Sequence, residues 1–184
     1  MSALRTCAVV LAAGSLLAGG TAVAAQPDKP AAVAAAQPVA PIGGIVHMLS
    51  PLDLQSTASG AWTDSTLEVK LPLGGVYDLD VDVHGVLSGI PPVNITMQAR
   101  LWDVTSGAPV PQSERFIDQV QDENQGNAQV GHNVTAPITE RVRVTRPTTI
   151  RLQAARAYRG TAVVAQIRSD PSGYTAFRYE WVGP

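Results

Sequence analysis

The 184-residue sequence is almost free of cysteine and is poor in aromatic residues. Its one cysteine, Cys7, lies in an apolar N-terminal segment, so the rest of the chain forms no internal disulfide and offers no thiol for catalysis. Aromatic residues make up only 5% of the chain. The stability of the fold must therefore come from aliphatic side chains, mainly valine, leucine, isoleucine and alanine.

Recognisable catalytic motifs are also missing from the sequence. It contains neither a Gly-x-Ser-x-Gly nucleophile elbow nor a His-Glu-x-x-His metal pair. Its histidines, His47, His84 and His132, are scattered, and each is expected to be a surface or hydrogen-bonded residue rather than a base. We therefore expect a protein that is not an enzyme and needs no cofactor. A catalytic pair of carboxylates of the glycosidase type is not excluded, because the two groups must be close in the fold and need not be close in the sequence.

The N-terminal region has the pattern of an exported protein. In residues 1–25, Arg5 precedes an apolar stretch, and small residues around Ala24 suit signal-peptide cleavage. Residues 26–42 are rich in alanine and proline and predict an extended arm, followed by a folded domain over 43–184. We expect a secreted protein whose arm is either a spacer or a segment that binds a partner. The candidate contacts in the arm are Pro38, Val39, Pro41 and Ile42.

From Gly43 onward, apolar and polar residues alternate with a period of two, which predicts strands. The clearest strand is Val76 to His84, and Val93 to Trp102 is similar. Turns rich in glycine and proline are predicted between strands, including Ser88 to Pro92, and residues 119–133 predict a long surface loop. Further strands are predicted near 45–49, 66–71, 139–145, 148–155, 161–168 and 175–182. The pattern predicts an all-β fold: an antiparallel β-sandwich of jelly-roll type with about eight to ten strands.

Two segments resemble a known group of jelly rolls. Gly75-Val76-Tyr77-Asp78-Leu79 is similar to the Gly-x-Tyr-x-apolar strand of tumour necrosis factor and of complement-type globular heads. Gly173 to Tyr179 resembles the closing strand of the same group. The resemblance implies a binding role and, in many members, a homo-oligomer. The combination of an exported arm and a small cysteine-free β domain is also similar to the adaptor subunits of secreted umbrella-shaped toxin particles of actinobacteria.

Charge is distributed unevenly along the domain. Residues 43–139 hold three basic and eleven acidic residues, a balance of −8, whereas residues 140–184 hold eight arginines and three acidic residues, a balance of +5. Opposite charges on neighbouring strands are expected to pair. The alternative is a surface of two signs that is left free for a partner. Because the domain is acidic overall and has few stacking aromatics, we expect no nucleic-acid partner.

Acidic and basic side chains also form local groups. Asp78, Asp80 and Asp82 share one strand face, where arginines of a neighbouring strand are the expected partners and a calcium ion is the alternative. Arg141 and Arg143 share another face, and Arg151 is expected to lie opposite them across a tight turn. These three arginines are candidate contacts for an acidic protein surface.

The three tryptophans are expected in two different settings, one in the core and two at the surface. Trp181 shares a face of the last strand with Thr175, Phe177 and Tyr179, and this face is expected to fill the core. Trp62 and Trp102 lie next to predicted loops and are candidate interface residues, because amphipathic aromatics anchor interfaces.

These features predict a secreted adaptor that docks protein partners in an extracellular assembly, with a toxin particle as one setting. The alternative is a carbohydrate-binding module that uses Trp62 or Trp102. The expected partners are therefore one or more proteins, or a glycan, with no membrane and with a homo-oligomer left open.

Overall fold

The computed structural model describes residues 42–184, which form nine β-strands and no helix. The predicted signal peptide, and the predicted arm apart from Ile42, lie outside the described residues and stay predictions. Within residues 42–184 no helix is long and apolar enough to cross a membrane. The strands are β1 (Gly43–His47), β2 (Leu52–Asp53), β3 (Thr63–Leu71), β4 (Gly75–Asp103), β5 (Ala108–Pro109), β6 (Arg115–Asp122), β7 (Val130–Val144), β8 (Thr148–Arg168) and β9 (Ala176–Gly183).

The period-two pattern decides which side chains form the core. In the first half of β4, Leu79 and Val81 are at most 1% exposed, while Asp80 between them faces solvent. The second half repeats this arrangement, with Ile95 and Met97 fully buried. Buried residues from both halves belong to one hydrophobic cluster. The inward face of β9 joins the same cluster as predicted, since Phe177, Tyr179 and Trp181 all pack there.

Two long strands replace the separate strands that the sequence predicts. β4 and β8 pair antiparallel from His84↔Arg168 to Asp103↔Ile150, with register shifts between Ser88 and Gly89 and between Ile90 and Asn94. The predicted turn at Ser88 to Pro92 is therefore wrong, and so is the predicted break between 155 and 161. Glycine and proline mark an irregularity within a strand here instead of ending it.

The predicted loop over 119–133 is also wrong for most of its length. β6 continues to Asp122 and β7 begins at Val130, which leaves residues 123–129 as the connection. β6 pairs with the second half of β4, and β7 pairs with the first half from Gly75↔Val144 to Gly89↔Val130.

The pairing arranges the strands in two layers that share β4 and β8. The first half of β4 lies between β7 and β9, and β1 pairs with the outer edge of β9. The second half of β4 lies between β6 and β8, and β3 pairs with β8. Every pairing between these strands is antiparallel, and the core lies between the layers. The prediction of an all-β antiparallel sandwich of jelly-roll type is confirmed.

Candidate interaction site

The outer face of the layer formed by β3, β8 and the second half of β4 carries the most distinctive side-chain cluster of the described residues. On β4, Ala99 and Leu101 are fully buried, so Arg100 and Trp102 must point outward. Trp62 precedes β3 and lies on the same face, because it stacks on Arg100. We call Trp62, Arg100 and Trp102 the tryptophan–arginine cluster.

Arg100 lies against both indoles of this cluster. Its guanidinium carbon is 4.0 Å from the ring centroid of Trp62 and 5.0 Å from that of Trp102. Both distances lie within the range for attraction between a cation and an aromatic face. All three side chains are partly exposed. The cluster therefore combines a positive charge with two apolar rings on an accessible surface.

Gln153 on β8 fixes the position of the guanidinium. Its side-chain oxygen accepts a hydrogen bond from Nε of Arg100 at 2.8 Å, and its side-chain nitrogen donates one to Oδ1 of Asp64 at 2.7 Å. These contacts follow from register, because Gln153 is paired with Asp64 on one side and with Arg100 on the other. The side-chain amide of Gln153 is therefore hydrogen-bonded at both its oxygen and its nitrogen. The hydrogen bond that it donates to Asp64 lowers the pKa of this carboxyl below its ordinary value.

Arg151 satisfies the acidic groups beside the cluster. Its Nη1 donates to Oδ2 of Asp64 at 2.7 Å, and its Nη2 and Nε donate to Oε2 of Glu68 at 2.9 and 3.2 Å. The hydrogen bond to Glu68 raises the pKa of Arg151 above its ordinary value. We call Asp64, Glu68, Arg151 and Gln153 the supporting network.

The candidate arginines of the sequence are separated in the fold. Arg151 lies on β8, and its acidic partners are on β3, so the expectation that it faces Arg141 and Arg143 across a turn is wrong. The latter two lie on β7, which pairs with β4. Nε and Nη2 of Arg141 donate hydrogen bonds to the two carboxylate oxygens of Asp78 at 2.6 and 2.7 Å, and this hydrogen bonding lowers the pKa of Asp78.

The aspartate face of β4 is occupied by partners from neighbouring strands. Besides the pair of Asp78 and Arg141, Asp80 accepts a hydrogen bond from Thr139 at 2.8 Å, and Asp82 accepts one from Arg178 at 2.7 Å. The predicted pairing of opposite charges across strands is confirmed here.

His84 ends this strand segment but differs from the aspartates. It is 2% exposed, so of its two expected settings, surface or hydrogen-bonded, the surface is excluded. Its Nδ1 lies 3.1 Å from the hydroxyl oxygen of Thr135. No group of three or more metal-ligating side chains occurs among residues 42–184.

Trp62, Trp102 and Arg151 are the sequence candidates that the fold brings together on one face. In the arm, Ile42 is half-buried, and its carbonyl accepts a hydrogen bond from the backbone N–H of Trp181 at 2.7 Å, so it begins the pairing of β1 with β9. Pro38, Val39 and Pro41 lie outside the described residues.

Three functional candidates were missed by the sequence analysis. In the sequence, Arg100 and Gln153 are polar positions of alternating strands without a distinguishing motif, although the spacing of Arg100 and Trp102 already places them on one strand face. Asp118 is 3% exposed on β6, and its Oδ1 lies 3.1 Å from Nδ1 of His132 on β7. Burial raises the pKa of Asp118 above the ordinary value. Nothing in the local sequence distinguishes Asp118 from an exposed aspartate.

Comparisons with known proteins identify structural likeness only. No protein-family model matches the chain, and no curated protein matches it significantly. Among solved structures, a chain from infectious bursal disease virus strain Gx has 12% identity and a TM-score of 0.43, over 78% of this chain and 32% of the viral chain. Eiger TNF from S. frugiperda has 10% identity and a TM-score of 0.34, over 77% of this chain and 85% of its own.

A VP2 subviral-particle structure of infectious bursal disease virus has 9% identity and a TM-score of 0.36, over 78% of this chain and 33% of its own. This chain therefore spans about a third of the length of these two viral chains. A TNF is thus among the structures that this chain resembles. With TM-scores below 0.5, the assignment of the fold rests on the strand pairing described above, and the comparisons assign no family.

Proposed function

We propose that this chain is a secreted, non-enzymatic interaction domain that docks a protein partner through the outer face of β3, β8 and the second half of β4. The observation that carries the proposal is the tryptophan–arginine cluster, in which Trp62 and Trp102 flank Arg100 on a partly exposed surface. Tryptophan and arginine are the residue types that most often dominate the binding energy of protein interfaces.

The cluster is ordered before any partner arrives. Arg100 is stacked on two rings and is hydrogen-bonded to Gln153. Because side chains that are already immobilised lose less conformational entropy on binding, this arrangement favours affinity. Phe116 on β6 is 55% exposed and pairs with Gln98 of β4, so it adds apolar area to the same face.

Secretion and an adaptor role complete the proposal. Secretion is supported by the signal-peptide pattern of residues 1–25, and the arm over 26–42 supplies a tether of the kind that an adaptor in an extracellular assembly needs. A toxin particle is one such assembly.

The test of the docking face uses the chain without residues 1–25 as bait in culture supernatant of the source organism, followed by affinity measurement with the purified partner. We expect Trp62→Ala and Trp102→Ala each to weaken binding by about 30-fold, the effect of losing a hot spot of about 2 kcal/mol. Tyr174→Ala is the matched control, since Tyr174 is 59% exposed outside this face. Unchanged affinity in both tryptophan variants would refute the docking face.

A carbohydrate-binding module is the second candidate, favoured by the same proximity of two indoles. Arg100 already covers one face of Trp62, however, so less ring surface is left for stacking on a sugar. A glycan array separates the two functions. Binding of a neutral oligosaccharide that disappears in Trp62→Ala and Trp102→Ala, without capture of any protein, would favour the module.

The role of the arm is tested by the same capture experiment with residues 26–41 deleted, which keeps Ile42 and its backbone hydrogen bond to Trp181. If the arm contacts the partner, the deletion lowers the affinity. Capture at unchanged affinity would mean that the arm is a spacer.

A further inference from the structure

Arg100 has hydrogen-bonding capacity that the fold does not use. Its Nε donates to Gln153, but among the described residues neither of its terminal nitrogens has a hydrogen-bond or ion-pair partner. Arg151, by contrast, uses all three of its nitrogens on Asp64 and Glu68. On this face, Arg151 is therefore fully hydrogen-bonded to its acidic neighbours, whereas the two terminal nitrogens of Arg100 have no partner among the described residues.

We propose that the terminal nitrogens of Arg100 bind a carboxylate of the protein partner, from an aspartate, a glutamate or a C-terminus. This inference rests on the proposed function and adds the chemistry of the partner. A guanidinium is a planar fork that binds a carboxylate through two parallel hydrogen bonds. With Nε already donating to Gln153, the end of the fork formed by the two terminal nitrogens is the part left for a ligand.

The two indoles and Gln153 prepare this fork for binding. Contact with the rings of Trp62 and Trp102 restricts the guanidinium, and the hydrogen bond to Gln153 fixes the position of its Nε. The apolar rings in contact with the cation also lower its exposure to water. Because a charge-assisted hydrogen bond strengthens as the local dielectric falls, the carboxylate is bound more tightly here than by a fully solvated arginine.

The neighbouring acidic groups do not compete for Arg100. Asp64 and Glu68 are held by Arg151, and Asp64 also accepts from Gln153. Their negative charges still favour a protein over an acidic polysaccharide. A single carboxylate reaches Arg100 alone, whereas a chain with a charge on every sugar would bring further carboxylates close to Asp64 and Glu68.

The direct test uses nuclear magnetic resonance on the ¹⁵N-labelled chain without residues 1–25. The probe is a blocked pentapeptide with one central glutamate, and the same peptide with glutamine is the control ligand. We expect saturable shifts of the indole N–H signals of Trp62 and Trp102 and of the Nε–H signal of Arg100. Trp181 serves as the internal reference because its indole nitrogen is buried. The glutamine peptide is expected to bind at least about tenfold more weakly, as for the loss of one charge-assisted contact.

Variants separate ligand binding from a structural role of Arg100. Arg100→Gln is expected to abolish the shifts, and Arg100→Lys, which keeps the charge but lacks the fork, is expected to weaken binding about tenfold or more. Arg159→Gln is the matched control, because Arg159 is an exposed arginine that lies on β8. If Arg100→Gln does not fold, Arg100→Lys alone decides. Equal shifts with both peptides, or shifts that persist in the Arg100 variants, would overturn the carboxylate site.

Two further outcomes keep this inference distinct from the proposed function. A captured partner that depends on Trp62 and Trp102 but binds Arg100→Gln with unchanged affinity would overturn the carboxylate site and leave the docking face standing. Binding of the glutamate peptide with no protein capture would remove the proposed function while the site itself remains.

The choice of a protein carboxylate over an acidic polysaccharide is tested with oligogalacturonate, which carries a carboxylate on every sugar. Tighter binding of oligogalacturonate than of the glutamate peptide would overturn that choice.

Discussion

Replacing Gln153 with leucine tests the supporting network where it joins three strands. Gln153 is 8% exposed, accepts a hydrogen bond from Arg100 and donates one to Asp64. Leucine has a similar size but forms neither hydrogen bond. The substitution leaves the backbone pairing of β8 with β3 and β4 in place, so its effect reports on the side-chain contacts.

The expected magnitude follows from the exposure of the two partners. A hydrogen bond to a charged group contributes about 1.5–3 kcal/mol when it is buried. The side chain of Asp64 is 51% exposed and Arg100 is partly exposed, so both regain water in the variant. We therefore expect a loss of about 1–2 kcal/mol in the free energy of unfolding, well below the sum of two buried contacts. With a urea m-value of about 2 kcal/mol/M, the unfolding midpoint falls by about 0.5–1 M.

The pH dependence gives a second readout with a defined sign. The pKa of Asp64 is lowered from 3.8, first by the hydrogen bond from Gln153 and then by Arg151. A lowered pKa contributes stability that is fully present above the unfolded-state pKa and is lost as the pH falls through the folded-state pKa. In Gln153→Leu the pKa of Asp64 rises toward 3.8, so the difference in stability between variant and parent shrinks as the pH falls below that value.

Urea unfolding followed by tryptophan fluorescence measures the stability, and a ¹³C carboxyl titration measures the pKa of Asp64. Gln98→Leu is the control, because Gln98 lies on the same face and has no side-chain hydrogen bond among the described residues. An unchanged pKa of Asp64 in Gln153→Leu, or an equal loss of stability in Gln98→Leu, would refute the proposed support of the cluster.

Three further substitutions probe the fold, each by urea unfolding. Leu79→Ala empties a fully buried position and is expected to cost about 2–5 kcal/mol; a loss under 1 kcal/mol would contradict its place in the core. Gly75→Ala is expected to prevent folding or to shift β9, because the new methyl carbon would lie 2.3 Å from the indole nitrogen of Trp181 at a φ of 141°; parent-like stability would contradict this contact. Asp118→Asn removes a carboxyl whose pKa is raised by burial, so the parent loses stability as the pH rises through that pKa and the variant does not. The variant's stability relative to the parent should therefore rise as the pH increases above 3.8, and a flat difference would contradict the raised pKa.

Local pattern predicts the strands well where one face is buried and the other is polar. The first half of β4 is correct because Leu79 and Val81 alternate with aspartates that face solvent. The turn predicted at Ser88 to Pro92 is wrong because the residue types that form turns also form irregularities inside long strands. Residues 119–122 and 130–133 were placed in a loop because they are polar, yet they belong to strands at the edge of a layer, where polar residues are tolerated.

The cluster was only half predictable for a related reason. The alternation of β4 places Arg100 and Trp102 on one face, since they are two residues apart. Trp62 meets them only because β3 pairs with β8 and β8 pairs with β4. Such long-range pairing depends on the packing of the whole core and leaves no local signal. The same holds for the contact between Asp118 and His132, which joins β6 to β7.

The register of β8 links the core to the proposed site. Asp64, Gln153 and Arg100 stand in one row across three strands, and Glu68, Arg151 and Trp102 stand in the next. Leu152 and Ala154 alternate with these outward residues and are fully buried, so a shift of one residue would place Arg151 and Gln153 in the core. The aliphatic core therefore specifies the row that holds Arg100. It follows that the fork of Arg100 is positioned by the folding of the domain itself, before a partner binds.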